Sequence, residues 1–115
     1  MWNVPPRVLC RQHLLGEHKE THMFVGSILS RQAKGWADNL GQYMAGLVTP
    51  LLLPKRHEQL VAELHRRGYN HWSPLKTFTW SGGEGWVDPM ANLEDLKSRC
   101  PTCRERIEAW EQECS

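Results

Sequence analysis

The sequence lacks the features that mark several large functional classes. No apolar run approaches the ~18 residues of a membrane span; the longest candidate, Leu51-Leu52-Leu53, stands between Pro50 and Pro54. An amino-terminal signal peptide is not expected, because Arg7 and Arg11 break any apolar core. Low-complexity tracts and internal repeats are missing as well. The metalloprotease pattern H-E-x-x-H fails because Lys19 follows His18, and Gly82-Gly83-Glu84-Gly85 lacks the spacing and lysine of a phosphate-binding loop, so it reads as a turn. A length of 115 residues excludes a large multi-domain enzyme and predicts one domain over 1–115. Four cysteines without a secretory signal point to reduced thiols and a cytoplasmic setting.

Net charge is also scarce, at +1, but the total conceals a partition. Residues 1–70 hold nine Lys/Arg against five Asp/Glu, and residues 71–115 hold five against eight. Five of the six histidines fall in the basic part. Segregation of this kind permits a basic binding face on a nearly neutral chain, although clustering on solvated helix faces gives the same count.

The periodicities predict an all-α domain of three to four helices with a long aromatic and Gly-rich loop. After Pro5-Pro6, a first helix is expected from about Arg7 to Leu29, its apolar rhythm interrupted by the polar stretch 17–22. Residues 30–53 read as loop with at most one short helical turn. A second helix over 54–68 has Pro54 in its first turn, His57, Leu60, Val61 and Leu64 on one face, and Gly68 as its stop. Residues 69–88 form the aromatic loop, with at most a short strand near Phe78. Asp88-Pro89 opens a short helix through Leu93 and Leu96. Beyond Pro101, Cys103, Ile107, Trp110 and Cys114 mark the inner stripe of a last helix.

Several groups of residues have chemical content, each with a plainer reading beside it. His13, Glu17 and Glu20 share a helix face, which suits either a catalytic carboxylate or surface ion pairs. His18 and His22 form a second pair that suits a metal or a solvated face. Cys100-Pro101-Thr102-Cys103 supplies two zinc ligands at most, so Cys10, Cys114 or a histidine would have to complete a site. Buried thiols acting as small apolar groups fit the same pattern, and no metal or cofactor is assigned. A redox role lacks the βαβ setting such a motif requires. Six tryptophans are many for this length; those in 72–86 fit a core, a lid or a base-stacking surface.

Two segments carry a resemblance. The first is Arg11-Gln12-His13-Leu14-Leu15-Gly16-Glu17-His18-Lys19-Glu20, followed by Phe24-Val25-Gly26; the second runs from Lys55-Arg56-His57 through Arg66-Arg67-Gly68-Tyr69-Asn70. In this order they resemble the pyrimidine dimer DNA glycosylase family, the phage-type endonuclease V proteins. The tail after residue 71 resembles the family little, and the acidic segment around Cys100 and Cys103 stands there instead.

The resemblance implies a monomeric all-helical enzyme acting on ultraviolet-damaged duplex DNA. It implies a glycosylase and apurinic/apyrimidinic lyase that needs no cofactor. The α-amine, on Met1 here, would attack C1′ of the 5′ nucleotide of the dimer, forming a Schiff base before β-elimination nicks the strand. The catalytic glutamate falls on Glu20, the first-helix histidine on His13, and a basic position before the glutamate on Lys19. Arg11, His13, Lys19, Lys55, Arg56, Arg66 and Arg67 are the expected DNA-binding residues. An α-amine suits imine chemistry because its pKa of ~7.7–8.0 leaves a neutral fraction near pH 7. The interval from Met1 to Glu20 is about two residues shorter than in the family, ~7 Å of extended chain. The family's Thr-Arg start is absent, and Met23 replaces an arginine. The alternative expectation is a non-catalytic DNA-binding module, zinc-stapled through Cys100 and Cys103.

Overall fold

The computed structural model describes residues 2–35, 50–70, 73–80 and 87–114. These residues form four α-helices, α1 (Arg11–Ala33), α2 (Leu53–Arg66), α3 (Pro89–Arg99) and α4 (Pro101–Cys114), with short 3-10 turns at Pro6–Val8 and Pro50–Leu52. The all-α expectation holds, and no strand occurs among the described residues. Among the described residues no helix is long and apolar enough to cross a membrane.

Helix α1 begins later than expected and ends later. Pro5-Pro6 seeds the 3-10 turn, and Cys10 then adopts an extended conformation (φ −68°, ψ 168°), so helical hydrogen bonding starts only with Leu14 N–H donating to Cys10 O. At the other end Ser30 does not stop the helix. The stop is Gly35, whose φ of +75° glycine adopts without the steric cost other residues meet.

The buried stripe of α1 runs Leu14, Glu17, His18, Thr21, Val25, Ile28, a regular helical spacing with a polar middle. On α2 the buried residues are Leu53, Arg56, His57, Leu60, Glu63 and Leu64. Leu14 packs in one apolar cluster with Leu60 and Leu64, while Val25 and Ile28 pack in a second with Leu53. The helices therefore run antiparallel. Between the two clusters lies a polar layer of Glu17, His18, Thr21, Arg56 and His57. Each fully buried leucine contributes roughly 1.5–3 kcal/mol, so the apolar ends hold the helix pair and leave the layer between them for polar groups.

The first cluster also takes in Val4, Val8, Leu9, Cys10, Leu93, Leu96, Cys103 and Ile107, joining the chain start to α3 and α4. The second is covered by Leu75, Phe78 and Trp80, and Gln32 Nε2 donates to Thr79 O to hold that segment on α1.

Local signals in the sequence set the remaining ends. Tyr69 N–H donates to Leu64 O and Gly68 N–H to His65 O, with Gly68 at φ +91°. That pair of bonds is the Schellman stop, and it explains glycine after Arg67. Asp88 caps α3 by accepting from the backbone N–H groups of Met90 and Ala91. Pro101 excludes the helical region for the residue before it, so Cys100 is extended (φ −121°, ψ 107°) and α3 and α4 meet at a corner. The expected turn at Gly82–Gly85, Trp72, Trp86 and most of the 30–53 segment lie outside the described residues.

Candidate active site at the chain start

Glu17 sits at the centre of the polar layer, 1% exposed. Its Oε1 accepts from the backbone N–H of Trp2 at 2.6 Å and of Asn3 at 3.1 Å. Its Oε2 accepts from Arg56 Nε at 2.6 Å and pairs with Arg56 Nη2 as well. Both carboxylate oxygens thus have hydrogen-bond partners in the interior, as a buried polar group requires. Asn92 Nδ2 donates to the carbonyl of Trp2 at 2.8 Å, fixing the other side of that residue. Asn3 completes the bend with φ +54°, a left-handed conformation that asparagine tolerates better than most residues. The peptide of residue 2 is thus held by α1 from one side and by α3 from the other.

Glu20 lies one turn beyond Glu17 and is half-buried. Burial, the largest influence, raises its carboxyl above the ordinary value of 4.5; the charge of the α-amino group opposes this, Glu17 adds to it and His13 opposes it. The net direction is upward, so the group holds its proton more tightly than a free glutamate does.

The basic residues separate into two sets. Arg11, Lys19 and Lys55 are exposed, with the Arg11 guanidinium 5.7 Å from the Tyr69 ring centroid. Lys55 also lines a cavity of about 120 Å³ together with Asn3, Leu52, Arg56 and Gln59. Arg56, expected on the DNA, is instead 4% exposed and committed to Glu17. Arg67 is likewise turned inward. It donates to Glu63 Oε2 at 2.7 Å and to the carbonyl of Leu9 at 2.7 Å, tying α2 to the segment before α1. Arg66 is mostly exposed and also pairs with Glu63, at 2.5 Å. Burial alone would raise the Glu63 carboxyl, but the hydrogen bonds and charges of Arg66 and Arg67 outweigh it and hold the group below 4.5.

Two side-chain clusters extend beyond what the sequence pairs together. His57 of α2 joins His18 and His22 of α1, with His57 Nε2 and His22 Nε2 3.2 Å apart. The signal for this lay in the position of His57 on the buried stripe of α2. His13, expected beside the DNA, instead joins Cys10, Cys100 and Cys103 and meets the Trp2 ring edge-on, 5.8 Å between centroids. No local pattern marks this grouping, because its members are separated by up to 93 positions in the chain.

The arrangement holds residue 2 between Glu17 and Asn92, one helical turn from a half-buried carboxyl with a raised proton affinity, and leaves Arg11, Lys19 and Lys55 exposed. Comparison with protein families matches residues 1–77 to pyrimidine dimer DNA glycosylase. No curated protein and no solved structure matches the chain.

Proposed function

The chain belongs to the pyrimidine dimer DNA glycosylase family, and from that premise we propose that it excises cyclobutane pyrimidine dimers from duplex DNA through its own α-amine and Glu20. The observation that carries this reading is the clamp on residue 2. Trp2 N–H is bound to Glu17 and Trp2 O to Asn92. Consecutive Cα atoms lie ~3.8 Å apart, so the clamp limits where the first residue can go.

In the proposed reaction the neutral amine attacks C1′ of the 5′ nucleotide of the dimer. The glycosidic bond breaks with its electron pair leaving on the base nitrogen, which takes up a proton. Opening the C1′–O4′ bond of the sugar leaves an imine between C1′ and the amine. Loss of a C2′ proton then expels the 3′ phosphate by β-elimination, and water releases the enzyme. The Glu20 carboxylate stabilises positive charge at C1′ and accepts the C2′ proton. A raised proton affinity suits this second task, because a stronger base abstracts a carbon-bound proton more readily.

The exposed cations Arg11, Lys19 and Lys55 supply phosphate contacts, and Arg66 adds to them from the end of α2. Arg56 and Arg67 act as positioning residues inside the protein. A dimer already weakens stacking, so displacing its bases costs less than in undamaged duplex.

Irradiated duplex treated with the protein and borohydride tests the proposal. A covalent protein–DNA adduct is expected, together with strand nicking when borohydride is omitted. Irradiated duplex that is bound but neither trapped nor nicked would refute the enzyme reading in favour of a binding module.

A further inference from the structure

Cys10, His13, Cys100 and Cys103 bring one ligand atom each into a group in which all four lie within 4.8 Å of one another. Cys10 Sγ stands 3.1 Å from His13 Nδ1 and 3.9 Å from Cys100 Sγ, and Cys103 Sγ stands 3.5 Å from His13 Nδ1. A tetrahedral zinc ion with Zn–S of ~2.3 Å and Zn–N of ~2.0–2.1 Å requires edges of ~3.8 Å between sulfurs and ~3.6 Å between sulfur and nitrogen. The observed separations scatter about those lengths. We propose that these four residues bind one structural zinc ion, through three thiolates and the Nδ1 atom of His13.

Three further observations favour this reading over a cluster of packed thiols. Cys10, Cys100 and Cys103 are all free, and the 3.9 Å between Cys10 and Cys100 is far beyond the ~2.05 Å of a disulfide. The backbone N–H of Cys10 points at Cys103 Sγ (3.2 Å), and that of Cys103 points at Cys100 Sγ (3.4 Å). Donors aimed at sulfur orient the side chains, as the surroundings of a bound metal do. Finally, the backbone has the form the ligands need. Cys10 is the N-cap of α1 yet makes no side-chain capping bond, leaving its sulfur for the group. Pro101 holds Cys100 extended at the α3–α4 corner, which brings it next to Cys103 in the first turn of α4.

Three sulfurs and one imidazole in a closed tetrahedron select zinc over the oxygen-seeking cations, and leave no open position for a substrate. The ion is therefore a staple. It joins the start of α1 to the corner between α3 and α4, closing a loop of about ninety residues. Both parts it joins also hold residue 2, through Glu17 on α1 and Asn92 on α3. The zinc site does not depend on the proposed chemistry, since it can be present whether or not the chain cuts DNA.

Elemental analysis of the full chain, purified under reducing conditions and dialysed, should find one zinc per chain. Replacing that zinc with Co²⁺ should produce the visible d–d bands of a tetrahedral site and a thiolate-to-cobalt charge-transfer band. Cys100→Ser should lose the metal, whereas Cys114→Ser and His22→Ala should retain one zinc each. The cobalt spectrum of the unmutated chain stands even if Cys100→Ser fails to fold. A metal-free chain that gives no tetrahedral thiolate spectrum when offered Co²⁺ would overturn the proposal, as would zinc retained by Cys100→Ser and lost by His22→Ala. Disulfide linkage of Cys100 to Cys103 in the reduced preparation, found by mass after alkylation, would overturn it too.

Discussion

Glu17 on α1 and Arg56 on α2 form an ion pair at the centre of the helix pair, with neither side chain more than 4% exposed. The same carboxylate receives the N–H groups of Trp2 and Asn3, so one interaction joins helix packing to the placement of the chain start. Removing a single partner strands a buried charge, which typically costs 3–5 kcal/mol.

Glu17→Leu should therefore unfold at lower urea, by about 3–5 kcal/mol. The double variant Glu17→Leu with Arg56→Met should recover part of that loss, because no uncompensated guanidinium remains. Urea titration of the two singles and the double measures the coupling. Additive losses would show that the pair does not act as a unit.

Glu20 has the opposite relation to stability. Its carboxyl is raised above 4.5 in the folded chain, so the folded state binds the proton more tightly than the unfolded state. Stability from this group grows as pH falls through the folded value and is absent at neutral pH. Glu20→Gln should thus be at least as stable as the parent at pH 7 while losing base release. The same shift should move the acid limb of the activity profile upward from that of an ordinary glutamate. Denaturation at pH 7 and a pH series on irradiated duplex check both points.

Glu63 follows the reverse sign. Arg66 and Arg67 hold it below 4.5, so its contribution is complete above that value and is lost as pH falls through the depressed folded value. Glu63→Gln should flatten the acid side of the stability curve. Arg67→Lys should also destabilise, by about 1–3 kcal/mol, because one ammonium cannot reproduce the planar fork that reaches both Glu63 and the Leu9 carbonyl. Urea midpoints between pH 3 and 7 report both effects.

The division between exposed and buried cations predicts distinct salt responses. Lys19→Ala and Lys55→Ala should each reduce the slope of log affinity against log salt by about 0.9 and leave stability nearly unchanged. Arg56→Ala should lower stability first. Duplex binding at several salt concentrations, paired with thermal melting, separates the two classes.

Much of this fold was legible in the sequence. The expected bounds of helix α2 lie within two residues of the observed ones, because Pro54, the stripe through Leu60 and Leu64, and the Gly68 stop are local signals. Asp88-Pro89 announced α3 for the same reason. The first helix was harder to read, because its inner face turns polar at Glu17, His18 and Thr21 where an apolar rhythm would be expected. That break marks the layer holding the candidate site. Arg56 looked like a surface cation in the basic segment Lys55-Arg56, and only its partner on another helix reveals its buried role. The cluster around Cys100 and Cys103 was half legible. The pair was visible, but Cys10 and His13 come to it through tertiary packing across most of the chain, which no spacing rule encodes.

The proposed nucleophile is the chain's own first nitrogen, with Glu20 as its carboxylate partner. The most direct test digests the borohydride-trapped adduct on irradiated duplex and locates the cross-link by tandem mass spectrometry. Attachment is expected at the α-nitrogen of the first residue, with no base release from Glu20→Gln. Attachment at a lysine such as Lys19 or Lys55, or undiminished base release from Glu20→Gln, would contradict it.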